Sequence, residues 1–270
     1  MNRPTVLVVT RRMMRKNRPV NFLGEIHFEL LMRLGILPVM VPMAEGTLAC
    51  LPQYMRGMSG LLLVEGDDVE PTRYKAQKNN FTYLEETSPL KDEIEIRLLR
   101  HAMRRQLPVL GICRGSHLLN VVSGGTLYGD VQKEKASRLK HIDLRRNHYD
   151  TYRHTITVVD GSPLKRWYGQ SKLQVNSYHH QGVRKLASRF RPMATADDGL
   201  IEAFYDPKAN FLVGLQFHPE RMLEEYAGNL QVWKAFGNAV HRQNRLLATP
   251  QKREGESARA LSPSRAKRKL

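Results

Sequence analysis

Three side chains of this sequence have the types and surroundings needed for acyl transfer: Cys113, His218 and Glu220. A thiol attacks a carbonyl when a base takes its proton and a third group orients that base. Cys113 lies in LPVLGICRGSHLLN at 107–120, where an apolar run (Leu107, Val109, Leu110, Ile112) meets apolar residues at helical spacing (Leu118, Leu119, Val121, Val122). That pattern predicts a buried strand, a sharp turn and a helix, with the cysteine at the junction. Gly111 and Gly115 flank it and allow a turn tight enough to project one side chain from the carboxyl end of a sheet. At a helix start the dipole and the unpaired N–H groups favour a thiolate, and the same groups can hold an oxyanion. Arg114 is expected to add positive charge beside the sulfur. A cysteine that merely fills a core needs none of these features. Cys50, without glycine flanks or a helix start, reads as inert.

His218 is delivered by a second apolar run, 211–217, which Pro219 stops. Glu220 stands two residues further on, where its carboxylate can accept a hydrogen bond from the imidazole, as the orienting acid of a triad does.

The elements that must position these groups alternate up to Cys113. Strands are expected at 5–10, 36–42, 61–64 and 107–112, with helices at 24–34, 47–58 and 89–106, the last with Ile94, Leu98, Leu99 and Met103 on one side. Strand–helix alternation of this kind predicts a parallel sheet covered on both faces, with its site beyond the carboxyl ends of the strands. The loop EGDDVEP at 65–71 would then share one rim with Cys113. Residues 72–88 read as an irregular lid or loop, and 132–153 as too polar for a core. Strand signals resume at 154–160, 173–181, 191–196, 199–205 and 210–220. A final helix is expected from Glu220 to about Asn244, with Leu223, Tyr226, Leu230, Trp233 and Phe236 inward.

The chain has 270 residues and a formal net charge of +17. From Thr249 to Leu270 seven Lys or Arg stand against two Glu, and the Ser, Pro and Ala around them cannot bury enough apolar surface to order themselves. One domain at 1–246 followed by a disordered basic tail at 247–270 is expected. The remaining charge is spread without interleaved aromatics, so nucleic acid is not the expected partner. Two distant cysteines give neither a disulfide framework nor a metal spacing. No run is apolar and long enough for a membrane span, and the first strand signal is too short for a secretory core. A cytoplasmic protein is expected, with the tail as a weak nuclear-import signal.

GICRG, with GGTLYGD at 124–130, resembles the nucleophile region of class I glutamine amidotransferases, and within them the γ-glutamyl hydrolase branch of the C26 peptidase type. GDDVEP at 66–71, VNSYHHQGV at 175–183 and FHPE at 217–220 extend the resemblance over about residues 5–244. It implies an α/β, flavodoxin-like three-layer sandwich with a mainly parallel central sheet and a nucleophile elbow. Cys113 would be the nucleophile, His218 the base and Glu220 the orienting acid, with the backbone N–H groups of Gly66 and Arg114 as oxyanion hole. The implied reaction is hydrolysis of a γ-glutamyl amide through a thioester. His117, Asn176, Ser177, Tyr178 and His179 would contact substrate. No cofactor is implied. A synthase partner receiving ammonia, a homodimer, or a non-catalytic binding role on the same scaffold are the alternatives. Glu65 departs from the branch, standing where it carries a glycine.

No metal site is expected. His179 and His180 are adjacent, and neighbouring side chains of a strand point to opposite faces. His141, His148 and His154 show no ligand pattern and read as surface residues.

Overall fold

The structure is a computed structural model that describes residues 3–76, 81–145 and 151–248. In chain order the strands are β1 (Thr5–Val9), β2 (Arg11–Arg15), β3 (Arg18–Phe22), β4 (Leu37–Val41), β5 (Gly60–Leu63), β6 (Val109–Ile112), β7 (Thr126–Tyr128), β8 (Arg153–Val158), β9 (Lys172–Asn176), β10 (Gly182–Lys185), β11 (Arg191–Ala196), β12 (Ile201–Tyr205) and β13 (Leu212–Leu215). The helices are α1 (Glu25–Arg33), α2 (Thr47–Arg56), α3 (Pro89–Arg104), α4 (Arg114–Val122), α5 (Val131–Glu134), α6 (Pro163–Tyr168) and α7 (Ala227–Ala248).

The strands whose residues are apolar on both faces, β5, β6 and β13, are buried throughout and occupy the middle of the sheet. The sheet runs β4-β1-β5-β6-β13-β12-β11-β8-β9. It is parallel from β4 to β13 and antiparallel from β13 to β9. On one face Leu30 and Leu31 of α1, Leu164 of α6 and Trp233, Phe236 and Val240 of α7 pack on the sheet. Leu51 of α2, Ile94, Leu98 and Leu99 of α3 and Leu119 of α4 pack on the other. This is the three-layer α/β sandwich with a mainly parallel sheet that the sequence predicts.

Several elements differ from the sequence reading: the short α5, α6, β7 and β10 have no counterpart in it, and the strand expected at 173–181 ends at Asn176. The arginine-rich stretch after β1 forms a hairpin, β2–β3, turned at Lys16 and Asn17, whose positive φ angles of 49° and 59° suit the right-handed twist of a two-residue turn. The final helix starts at Ala227 rather than Glu220, because residues 219–221 make a tight 3₁₀ turn that holds the His-Pro-Glu segment beyond the carboxyl end of β13. Leu230, expected inward, is 38 % exposed. Part of the expected lid at 72–88, His148, and all of the expected basic tail beyond Ala248 lie outside the described residues. Among the described residues no helix is long and apolar enough to cross a membrane.

Between α3 and α4 lies a buried charge network. The Arg114 guanidinium bonds Asp92 and Glu95, and Lys91 Nζ lies 2.8 Å from the other Glu95 oxygen. All four side chains are buried. Burial works against the charge of Glu95, but Arg114 and Lys91 outweigh it and hold the carboxyl below its usual range. Removing that carboxylate leaves Asp92 as the one buried carboxylate of the network against two buried cations, with Lys91 held only by the Val9 and Thr10 carbonyls. Glu95→Gln is therefore expected to cost about 3–5 kcal/mol, read as a lowered urea midpoint.

Candidate active site

The elbow takes the form its glycines require. Cys113, between β6 and α4, has φ 52° and ψ −114°, a conformation that non-glycine residues rarely hold and that clusters at functional sites. It is kept there by close packing. A Cβ on Gly111 would lie 2.7 Å from the Gly115 carbonyl oxygen, and a Cβ on Gly115 would collide with the Leu63 carbonyl of β5. The Cys113 N–H donates to the Leu215 carbonyl of β13 at 2.7 Å, which ties the nucleophile to the strand that leads to His218.

His218 Nδ1 lies 2.7 Å from Glu220 Oε1. Burial disfavours its charge, yet Glu220 and Cys113 outweigh burial and push it up to about 10. The three side chains read from the sequence are thus brought together, all buried. Two further residues complete this arrangement. Asn176, at the end of β9, accepts the His218 N–H at 2.8 Å and donates to the His218 carbonyl at 2.9 Å. Gln216 points its amide nitrogen at Cys113 Sγ, 3.9 Å away, while its oxygen lies 2.6 Å from His117 Nε2.

β5 and β6 are neighbours, so the loop at Gly66 and the elbow share one rim, as expected. Arg114 packs its side chain beside Gly66, with Cδ 3.0 Å from where a glycine Cβ would stand. Its backbone N–H belongs to the first turn of α4, where N–H groups have no intrahelical acceptor. The Arg114 charge, however, does not serve the thiol: the guanidinium turns away to Asp92, Glu95 and the Asp67 carbonyl. Positive charge at the rim comes instead from Arg11 and Arg221, 3.6 and 3.7 Å from Glu65 Oε1. His27 Nε2 lies 3.7 Å from the other oxygen of Glu65 and 3.8 Å from Glu220. Burial disfavours the Glu65 charge, but His218, His27 and Arg11 outweigh it and lower its pKa. The carboxylate that replaces glycine is therefore held in a cationic setting rather than pointing to solvent.

Most of the expected substrate contacts have other partners. His117 is buried against Gln216, and desolvation brings it down to about 4. Asn176 holds His218, and Ser177 donates to the His141 carbonyl at 2.7 Å. His179 is turned inward, with Nδ1 2.7 Å from the Gln181 carbonyl. Tyr178 alone keeps partial exposure beside the base, its ring 5.5 Å from that of His218 and under the Arg221 guanidinium at 5.1 Å. His180 faces the opposite way from His179 and lies 2.8 Å from Asp68 Oδ1. Asp68 in turn accepts the Glu85 N–H, so it clasps the EGDDV loop to the segment before α3.

His141 and His154, expected at the surface, are buried with His179 around Glu202. Desolvation takes His154 down to about 4, His179 well below its ordinary value and Glu202 well above. The polar composition of 132–153 hid this, because the segment sends a few polar side chains inward instead of an apolar stripe. The signal for Asn176 was its place at the end of the alternating strand β9; for Gln216 it was its position two residues before His218, just past the end of β13.

The Peptidase C26 family model matches residues 7–220. Protein NtpR of Enterococcus hirae is 31% identical over 185 residues, covering 68% of this chain and 75% of that protein. The γ-glutamyl-γ-aminobutyrate hydrolase PuuD of Escherichia coli (strain K12) is 28% identical over 240 residues, covering 87% of this chain and 93% of that protein. The crystal structure of a glutamine amidotransferase from Thermotoga maritima superposes with a TM-score of 0.52 at 18% identity, over 92% of this chain and 94% of that one. With an elbow cysteine, a histidine on the neighbouring strand end and a family match over most of its length, the chain belongs to the Peptidase C26 family.

Proposed function

We propose that this chain is a cysteine hydrolase of γ-glutamyl amides, with glutamine or a γ-glutamyl conjugate as substrate. The observation that carries the reading is the buried Cys113–His218–Glu220 array on a strained elbow, with His218 Nδ1 2.7 Å from Glu220. The Cys113 thiolate attacks the γ-carbonyl, and the N–H groups of Arg114 and Gly66 stabilise the oxyanion, each worth about 3–4 kcal/mol. The C–N bond breaks as the His218 imidazolium gives its proton to the leaving amine. Water, deprotonated by the neutral His218, then attacks the thioester carbonyl, releasing glutamate and returning the proton to the sulfur or the imidazole. PuuD of Escherichia coli, similar over most of its length, is named a γ-glutamyl-γ-aminobutyrate hydrolase.

Glutamate release from glutamine and from a panel of γ-glutamyl amides, with trapping of the thioester on Cys113 by mass spectrometry, tests this. Release that depends on Cys113 supports the reading, and the preferred amide names the substrate. A folded protein inactive on every amide alone, but active with a synthase, would replace it with the ammonia-delivering role.

Asn176 acts through His218 rather than on substrate. Asn176→Leu removes both bonds that fix the His218 backbone and is expected to lower kcat about 10²-fold with little change in KM, checked by steady-state kinetics. A change confined to KM would return Asn176 to substrate binding.

A further inference from the structure

The polar stretch between α5 and β8 carries His141 beneath the antiparallel half of the sheet. There it meets His154 of β8, His179 from the turn after β9 and Glu202 of β12. None of the four is more than 5% exposed. His141 Nδ1 and His154 Nε2 each lie 3.6 Å from Glu202 Oε1, and His179 Nε2 lies 3.8 Å from it. One ligand atom from each residue falls within 4.8 Å of all the others.

The outward hydrogen bonds decide which nitrogen of each ring faces in. His141 Nε2 donates to Asp198 at 3.1 Å, His154 Nδ1 to the Thr155 carbonyl at 3.2 Å, and His179 Nδ1 to the Gln181 carbonyl at 2.7 Å. With those protons placed outward, the inward nitrogens carry lone pairs. Three lone pairs and a carboxylate then confront one another. No donor among the described residues reaches His141 Nδ1, His154 Nε2, His179 Nε2 or either oxygen of Glu202. Each unsatisfied buried acceptor costs about 1–3 kcal/mol. A single proton on Glu202 can serve only one of the three nitrogens, whereas a cation at the centre serves every inward group.

We propose that His141, His154, His179 and Glu202 form a closed binding site for a divalent transition-metal ion, zinc by the character of its donors. Imidazole nitrogens with one carboxylate suit zinc and not the oxygen-seeking calcium or magnesium. Tetrahedral zinc with bonds of the usual length sets its ligand atoms about 3.4 Å apart, so the three Glu202–imidazole separations of 3.6–3.8 Å need to close by a few tenths of an ångström, and the imidazole–imidazole separations, all within 4.8 Å, by no more than about 1.4 Å. Each imidazole already has the outer-shell acceptor that metal-bound histidines require, a carboxylate or a backbone carbonyl. Four buried protein ligands fill the tetrahedron, which makes the ion a structural one. It clamps the 141–145 segment and the turn after β9 onto the sheet. That turn begins with Asn176, which fixes His218, and Ser177, which bonds the His141 carbonyl. The site thus braces the catalytic base from behind without touching the reacting atoms.

The full-length protein, purified after growth with zinc, is assayed for metal content, and the cobalt-exchanged protein for visible absorption. Cys113→Ala/Glu65→Gln serves as the control, because Cys113 with His218, or Glu65 with His27 and Glu220, would otherwise compete for the ion. About one zinc per chain is expected in both the wild type and this double variant, with tetrahedral cobalt bands. Glu202→Gln and His154→Gln are expected to bind zinc at least about tenfold more weakly. Metal-free wild type that also gives no cobalt bands overturns the proposal, as does metal that is lost with Cys113 and Glu65. Should the ligand variants not fold, the wild type and the double variant decide by themselves. None of these readouts depends on the γ-glutamyl activity.

Discussion

Cys113→Ala is expected to eliminate the proposed glutamate release, lowering kcat by about 10⁴- to 10⁶-fold while the urea midpoint stays close to wild type. In the proposed reaction the sulfur is the atom that forms the thioester, and its two neighbours cannot replace it: Gln216 is an amide and His117 is turned into the interior. Loss of the thiol removes a small, 7% exposed side chain and leaves the backbone of the elbow in place. Glu220→Gln should cost about 10³- to 10⁴-fold, because an amide no longer stabilises the imidazolium or fixes its tautomer. The two variants separate in their pH dependence. The folded His218 titrates at about 10, above its ordinary value of 6.5. Its charge interaction is therefore fully present below 6.5 and is lost as pH rises through about 10. The wild-type rate should hold into the alkaline range and fall near that upper value, as the proton needed by the leaving amine is lost. In Glu220→Gln, without the main support of that charge, the alkaline fall moves to lower pH. A pH–rate profile measures both, and an alkaline limb unmoved by Glu220→Gln would remove Glu220 from the role of orienting acid.

Gly115→Ala is expected to destabilise the protein by more than about 4 kcal/mol, or to prevent its accumulation in folded form. The added methyl would run into the Leu63 carbonyl and stand 2.7 Å from the Leu63 Cβ. Those atoms belong to the centre of the sheet and have no room to retreat. α4 could relieve the overlap only by lifting away from β5, which would drag Cys113 from the Leu215 carbonyl that holds it. Gly57→Ala is the control: that glycine is exposed, and its Cβ would meet nothing within 4 Å. A change within about 0.5 kcal/mol is expected there. Urea unfolding of both variants makes the comparison. Comparable midpoints would mean that the close approach of α4 to β5 is not what sets the elbow.

By itself, the sequence determined the parallel half of the sheet, the elbow and the end of the strand before His218. Those features are local. Runs of Val, Leu and Ile bounded by turn residues define buried strands, Gly111 and Gly115 permit one sharp turn, and Pro219 ends a strand wherever it stands. Cys113, His218 and Glu220 stand out as candidates because their chemistry is written beside such local signals. The hairpin at Lys16 and Asn17 was missed because its residues are exposed and carry no alternation of apolar and polar side chains. Only the tertiary structure decided where the buried polar side chains find their partners. Arg114 reaches Asp92 and Glu95 rather than the thiol, Asn176 holds His218 rather than substrate, and His141 and His154 leave the surface to meet His179 and Glu202. Each of these pairings joins residues that are remote in the chain and adjacent across a sheet or a helix packing. A hydrogen bond or ion pair depends on the final distance between two groups, and residue order does not contain that distance until the sheet order and register are formed.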